Sequence, residues 1–93
     1  MKIAVIGSGG WGTAIAILLS SRGHNIYLWS WIQEETDRLK KDRENKEFLP
    51  GVKFPDTIYC SHDMAKCTDG AELIITAAPS PATNNGETAF AAR

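Results

Sequence analysis

The chain has 93 residues, of which 43% are hydrophobic and 23% are charged, and its formal net charge is −1. This composition is typical of one small folded domain or of part of a larger one, and it is too apolar for a disordered chain. The charge excludes the basic surface that nucleic acids or anionic membranes require, and no apolar run approaches the roughly 20 residues of a membrane span. We therefore expect no nucleic-acid partner and no membrane span.

The first predicted strand, Ile3–Ile6, ends at a glycine-rich turn, and a helix follows from about Trp11 to Ser21. Gly7, Gly9 and Gly12 fit the pattern G-x-G-x-x-G, in which each glycine has its own task. The first allows a sharp turn, the second lets a pyrophosphate approach the main chain, and the third lets the helix pack closely on the strand. The N–H groups at the helix start then face the phosphates. A tight turn without any ligand is the alternative.

A second strand and a charged helix come next. Gly23 is suited to end the first helix, and Asn25–Trp29 is rich in strand-forming residues. The resulting β-α-β unit predicts two parallel strands with a right-handed crossover. Ser30–Asn45 reads as a largely solvated helix whose charges pair at helical spacing, as Glu35 and Arg38 do. We interpret these charges as a solvent-facing surface without a binding role.

The second half of the chain adds two further predicted strands. Proline and glycine in Glu47–Gly51 predict a break, followed by a loop over Val52–Asp56. Thr57–Cys60 reads as the third strand, His62–Cys67 as a short helix, and Ala71–Ala78 as a buried fourth strand. The predicted order is therefore β-α-β-α-β-α-β.

This order predicts an α/β fold, a Rossmann-like parallel sheet truncated to about four strands, with the fourth strand beside the first. Ligands of such sheets bind where the strand order reverses. The Gly7–Gly12 loop and the Ala78–Pro81 turn then line one crevice, which is a second reason to expect a dinucleotide there. We divide the chain into a partial dinucleotide-binding domain over residues 1–81 and a disordered tail over Ala82–Arg93.

The two cysteines and the two histidines do not form a recognisable site. The spacing of Cys60 and Cys67 matches neither a zinc pattern nor a C-x-x-C redox pattern. Two reduced, partly buried thiols are expected, which fits a cytoplasmic protein. His24 and His62 are isolated in the sequence, so we place them at turns or helix ends and expect no metal site.

Four motifs together resemble the N-terminal part of the NAD(P)-dependent glycerol-3-phosphate dehydrogenases. That family carries Trp-Gly-Thr-Ala inside the dinucleotide loop, an R-x-N-x-x-[YF]-L-P-G stretch and a V-P-S turn. The matching residues here are Trp11-Gly12-Thr13-Ala14, Leu28-Trp29 at the end of the second strand, Arg43-x-Asn45 with Phe48-Leu49-Pro50-Gly51, and Ala78-Pro79-Ser80.

The resemblance implies a set of cofactor-binding residues. The glycine loop would carry the pyrophosphate, with Trp11 beside it, and Trp31 would stack on the adenine. Trp31 as a partly exposed aromatic residue, and Trp11 as packing for the loop, are the alternative interpretations. The candidate residues are Gly7, Ser8, Gly9, Gly10, Trp11, Gly12, Trp31 and Pro79.

The sequence does not decide between the two nicotinamide cofactors. The acid that usually binds the ribose 2′-hydroxyl is replaced by Ser30, with Trp31 next to it. Neither residue supplies a cation for the 2′-phosphate of NADP, and Arg38 lies on the next helix. The residues favour NAD slightly over NADP.

The implied reaction is the interconversion of glycerol 3-phosphate and dihydroxyacetone phosphate with NAD(P), an oxidoreductase step that feeds phospholipid synthesis. Enzymes of the family are several times longer, and their second domain supplies the substrate site and an acid–base lysine that no lysine here matches. We therefore assign no catalytic residue and expect an inactive chain that self-associates or needs a missing C-terminal domain. The resemblance ends near Ser80. A stand-alone nucleotide-binding module and a non-functional remnant are the alternatives.

Overall fold

The computed structural model describes residues 1–79 and 87–92 of the chain. Its elements, in chain order, are β1 (Lys2–Ile6), α1 (Gly10–Ser21), β2 (Asn25–Trp29), α2 (Gln33–Asp42), β3 (Glu44–Asn45), β4 (Leu49–Lys53), β5 (Ile58–Ser61), α3 (Met64–Thr68), β6 (Leu73–Pro79) and β7 (Glu87–Ala92).

Five strands form one sheet in the order β5-β2-β1-β6-β7. The pairs β5–β2, β2–β1 and β1–β6 are parallel, and Ile6 at the end of β1 lies opposite Trp29 on one side and Thr76 on the other. The strand order reverses between β1 and β6, as the sequence predicts. The Rossmann-like, four-stranded parallel arrangement is therefore confirmed.

The two faces of the sheet pack against different helices because successive side chains of a strand point to opposite faces. Ile3 and Val5 belong to a core that includes Ala16 of α1 and Leu39 of α2, whereas Ala4 and Ile6 pack in a second cluster with Cys67 of α3. Since β1 is paired on both sides and covered on both faces, its carboxyl end is held firmly in place.

The charged helix is shorter than the sequence predicts, and a hairpin follows it. α2 ends at Asp42, and Arg43 adopts a left-handed conformation with φ 54°. This turn redirects the chain into β3, which pairs antiparallel with β4. The predicted helix over Ser30–Asn45 is therefore too long at both ends. The predicted break and loop are wrong for Leu49–Lys53, which forms strand β4. Pro50 fits in this strand because β4 pairs with β3 on one side only, so the N–H that proline lacks is not needed for pairing.

The end of the chain also differs from the expected disorder. Glu87–Ala92 forms a strand that pairs antiparallel with β6, Ile74 lying opposite Ala92 and Pro79 opposite Glu87. An unpaired edge of β6 would leave backbone N–H and C=O groups without partners, and β7 supplies them. Residues 80–86 and Arg93 lie outside the described residues, as does the predicted Ala78–Pro81 turn beyond Pro79. The division of the chain at residue 81 stays a prediction.

Candidate functional site

The loop after β1 can be built only with glycine at its first position. Gly7 has φ +118°, and a Cβ added there would lie 2.1 Å from the carbonyl oxygen of Ala77 in β6. The Gly7 N–H donates a hydrogen bond to the Trp29 carbonyl at 2.9 Å. Gly7 therefore lies between β2 and β6: its N–H is bonded to β2, and its backbone packs closely against β6.

Gly12 fixes how closely α1 approaches this turn. A Cβ on Gly12 would lie 2.0 Å from the Gly7 carbonyl oxygen, whereas a Cβ on Gly10 would meet nothing within 4 Å. Gly9, extended at φ −71°, precedes the helix and brings no side chain to its first turn. The start of α1 is therefore open at Gly10 and tightly packed at Gly12, which leaves main chain accessible at the positive end of the helix dipole.

The buried side-chain amide of Asn45 is hydrogen-bonded to the glycine loop. The Asn45 Nδ2 donates hydrogen bonds to the Ser8 carbonyl at 2.6 Å and to the Thr13 Oγ1 at 2.9 Å. The Thr13 hydroxyl donates to the same Ser8 carbonyl, and the Asn45 Oδ1 accepts from the Phe48 N–H at 3.2 Å. Asn45 is only 3% exposed. The hairpin of β3 and β4 is thereby connected directly to the glycine loop.

A chain of hydroxyl groups connects the end of β2 with α2. The fully buried Ser30 donates its hydroxyl hydrogen to the Ser8 Oγ at 2.8 Å, and the Ser8 hydroxyl in turn donates to the Glu35 carboxylate. Ser30 is the position where the sequence lacks the usual acid. The structure shows that its side chain is used inside the protein, whereas Glu35 faces the loop.

The glycine loop, the segment between β2 and α2, the first turn of α2 and the turn before β4 line a cavity of about 200 Å3 that is open on one side. Its floor is main chain of the glycine loop, and its wall carries the half-exposed side chains of Trp31, Ile32 and Phe48. A polar floor beside an apolar wall suits part of a ligand in which a charged group is joined to a flat ring, as in one end of a dinucleotide. The lining residues are Gly7, Ser8, Gly9, Trp31, Ile32, Glu35, Phe48 and Ala77.

The Trp31 ring packs against Trp29, which His62 in turn holds in place. The Trp31 ring, 56% exposed, contacts the buried Trp29 edge-on at 4.7 Å between ring centroids. The Trp29 Nε1 donates to the His62 carbonyl at 3.0 Å, and the His62 ring stacks on Trp29 while its Nδ1 lies 2.8 Å from the Ser30 carbonyl. The exposed face of Trp31 is thus oriented by residues that are themselves anchored.

The predicted site residues do not all reach the cavity. Gly7, Ser8, Gly9 and Trp31 line it, whereas Gly10, Trp11 and Gly12 lie in the first turn of α1 behind the loop. Trp11 is 51% exposed. Pro79 ends β6, and its side chain lies outside the described residues.

Sequence reasoning missed five residues of the site: Ile32, Glu35, Asn45, Phe48 and Ala77. Asn45 and Phe48 belong to the R-x-N-x-x-[YF] stretch, so the motif signalled them without assigning them a role. Glu35 was assigned to a solvated helix face with Arg38, but its carboxylate instead accepts the Ser8 hydroxyl.

The remaining sequence-based candidates form no separate site. Cys60 and Cys67 are free and buried, and burial raises the pKa of the Cys60 thiol to about 11. Residues 1–79 and 87–92 contain no group of three His, Cys, Asp or Glu side chains that could hold a metal ion. Within the same residues, no helix has the length and apolar character needed to cross a membrane.

Known proteins are similar to this chain in sequence and in fold. The family model for the N-terminus of NAD-dependent glycerol-3-phosphate dehydrogenase matches residues 2–91, which extends past Ser80, where the motifs end. The glycerol-3-phosphate dehydrogenase (NAD(P)+) of Syntrophomonas wolfei is 47% identical over 79 residues, covering 85% of this chain and 23% of that protein. The corresponding protein of Thermus thermophilus is 45% identical over 82 residues, covering 88% of this chain and 26% of that protein.

Solved structures agree with these sequence matches. The crystal structure of glycerol-3-phosphate dehydrogenase from Coxiella burnetii superposes with a TM-score of 0.72 and 33% identity over 74% of this chain and 21% of that one. The enzyme from Saccharomyces cerevisiae gives a TM-score of 0.67 and 26% identity over 80% and 25%. The chain spans about a quarter of the length of the curated relatives it matches.

Proposed function

Since the chain belongs to the NAD-dependent glycerol-3-phosphate dehydrogenase N-terminus family, we propose that it binds a nicotinamide dinucleotide through the loop between β1 and α1. One observation carries the proposal. Gly7 and Gly12 leave no room for a Cβ, while the main chain between them borders an open cavity. Loops built in this way bring backbone N–H groups to a pyrophosphate.

We assign each part of the cofactor to a part of this site. The main chain at Ser8, Gly9 and Gly10 holds the pyrophosphate, with Trp11 beside it, because these residues lead into the start of α1. The exposed ring of Trp31 stacks on the adenine. Pro79, at the carboxyl end of β6, borders the crevice on the other side of the loop.

We propose that the intact protein interconverts glycerol 3-phosphate and dihydroxyacetone phosphate, a step that supplies phospholipid synthesis in the cytoplasm. The nicotinamide ring, when bound, exchanges the hydride. The chain contributes cofactor binding, and the substrate site with its proton-transferring group belongs to a further C-terminal domain, because the matched relatives are about four times longer. By this proposal, the present chain alone binds cofactor but does not turn over substrate.

We further propose that the site takes NAD in preference to NADP, because the described residues that line the cavity include no lysine or arginine. A 2′-phosphate needs such a cation for stable binding.

The substitution Trp31→Ala tests the placement of the cofactor. Loss of the stacking surface weakens NADH binding by about 5- to 100-fold, the range expected for a base–aromatic stack. Dissociation constants are measured by fluorescence titration of the purified chain. Tyr59→Ala is the matched control, because Tyr59 is also an exposed aromatic residue but lies on the edge strand β5. Equal affinities for the two variants and the parent chain would contradict the proposed adenine position.

A further inference from the structure

We propose that Glu35 sets the choice of nucleotide: its carboxylate accepts a hydrogen bond from the ribose 2′-hydroxyl of NAD and repels the 2′-phosphate of NADP. The inference rests on the proposed function, because it concerns the adenosine end of the same cofactor site. It assigns the discrimination to a residue in the first turn of α2 rather than to the end of β2.

The residue at the end of β2 is not available for this task. Ser30 occupies the position from which an acid commonly binds the ribose, yet it is fully buried. Its hydroxyl hydrogen is already donated to the Ser8 Oγ at 2.8 Å, and its carbonyl lies 2.8 Å from the His62 Nδ1. Ser30 therefore serves as an internal support of the loop.

The Glu35 carboxylate lies two hydrogen bonds from the Ser30 hydroxyl. Ser8 accepts from Ser30 and donates to the Oε1 of Glu35, so the three side chains form one continuous chain. Glu35 also lines the cavity together with Trp31. A carboxylate has about four acceptor positions, so the Ser8 bond leaves acceptor capacity for a ribose hydroxyl. The Glu35 carboxylate is therefore a hydrogen-bond acceptor of fixed orientation beside Trp31, the ring on which we place the adenine.

The charge around the cavity gives the direction of the preference. Glu35 is the one charged side chain among the described residues that line it. A 2′-phosphate carries a charge of about −1.5 to −2 and needs a cation nearby. The next cation along α2, Arg38, is exposed and lines a second cavity, which Glu35 also lines together with Asp42, Lys46 and Glu47. In the cavity that Trp31 and the glycine loop line, a 2′-phosphate therefore meets the Glu35 charge and no cation among the described lining residues.

The test compares the affinities of NADH and NADPH for the parent chain and for two variants. Glu35→Gln keeps the carbonyl that accepts the Ser8 hydroxyl but removes the charge. Glu34→Gln removes the same charge from the neighbouring exposed position of α2 and is the matched control. Because both cofactors share the pyrophosphate, the ratio of their dissociation constants isolates the effect at the 2′-position.

We expect the parent chain to bind NADH more tightly. Glu35→Gln should reduce the ratio of the NADPH to the NADH dissociation constant by about 10- to 30-fold, the Coulomb effect in water of a carboxylate and a 2′-phosphate about 4 to 5 Å apart. Glu34→Gln leaves the ratio unchanged. In the parent chain the ratio also falls between about 0.05 M and about 0.5 M salt, because salt screens the repulsion.

Three results would overturn the inference. A parent chain that prefers NADPH contradicts the assigned direction, and a ratio that Glu35→Gln leaves unchanged removes Glu35 from the discrimination. A ratio independent of salt excludes charge repulsion, and this measurement needs no variant should Glu35→Gln fail to fold. Binding of both cofactors with an unaltered ratio rejects this inference alone, whereas absence of binding by either cofactor rejects the proposed function with it.

Discussion

At the scale of single residues, the buried amide of Asn45 determines most about the site. It donates to the Ser8 carbonyl and to Thr13, and it accepts from the Phe48 backbone, so one side chain orients the glycine loop and part of the cavity wall. A buried amide with all these partners is sensitive to substitution, because each lost bond leaves a polar group unsatisfied.

Asn45→Ala therefore weakens both folding and binding. We expect the free energy of unfolding to fall by about 1–3 kcal/mol, since the Ser8 carbonyl loses a donor in a buried position. Urea denaturation measures this change, and NADH titration of the folded variant measures the loss of affinity. Asn25→Ala, at the exposed start of β2, serves as the control. An Asn45→Ala chain as stable as the control would contradict the role assigned to the amide.

Cys60 gives a prediction that depends on pH. Burial raises the pKa of its thiol to about 11 from an ordinary value of 9.0, so the folded state favours the protonated form. This contribution to stability is present at neutral pH and is lost as the pH rises above 9. We expect a thiol reagent to label the folded chain at pH 7 far more slowly than the chain in urea. Equal labelling rates in the folded and the urea-unfolded chain would show that Cys60 and the other free thiol, Cys67, are both accessible.

The sequence predicts the role of a single residue correctly where only one residue type fits the position. The tasks of Gly7 and Gly12 followed from the absence of a Cβ, and the structure shows both contacts. The sequence does not predict the role of Glu35, because helical spacing describes neighbours on one helix only. The contact with Ser8 joins residues 27 positions apart, and no local pattern encodes it.

At the scale of elements, α1 and the loop before it behave as one unit. The loop can turn only because Gly7 avoids the Ala77 carbonyl, and α1 can begin only because Gly12 avoids the Gly7 carbonyl. The strand, the turn and the helix therefore depend on one another, which explains why the glycine spacing, read together with the apolar run before it and the helical segment after it, predicted this part of the fold.

Two alanine substitutions separate packing from helix propensity. Gly12→Ala places a Cβ 2.0 Å from the Gly7 carbonyl oxygen, and we expect it to destabilise the chain by at least about 2–3 kcal/mol. Gly10→Ala meets nothing within 4 Å and leaves stability unchanged or slightly higher, because alanine is the better helix former. Thermal unfolding followed by circular dichroism distinguishes them. Similar melting temperatures for the two variants would contradict the close packing at Gly12.

The hairpin of β3 and β4 should respond to acid. Hydrogen bonds from the Lys53 ammonium at 2.8 Å and from the Gly51 N–H at 3.0 Å lower the pKa of Glu44 below its ordinary value of 4.5. A lowered pKa contributes stability above the ordinary value, and this contribution is lost as the pH falls below it. We expect Glu44→Gln to reduce the loss of stability between neutral and acidic pH. Glu47→Gln, in the exposed turn, should retain the full loss.

At the scale of the whole molecule, the sheet follows from the alternation of buried strands and helices. Parallel strands joined by right-handed crossovers leave few arrangements, and the reversal between β1 and β6 is the predicted one. The hairpin and β7 were not predicted. Their pairing depends on which edges the rest of the chain leaves open, and a short segment containing Pro50 and Gly51 carries no strand periodicity of its own.

The most direct test of the account is a calorimetric titration of the purified chain with NADH. The sample is first shown to be folded by circular dichroism. We predict saturable binding of one NADH per chain in the micromolar-to-millimolar range, because the glycine loop, its supporting amide and the aromatic wall are all present in these residues. A folded sample that releases no heat and quenches no fluorescence at millimolar NADH would contradict the claim that this chain carries a working dinucleotide site.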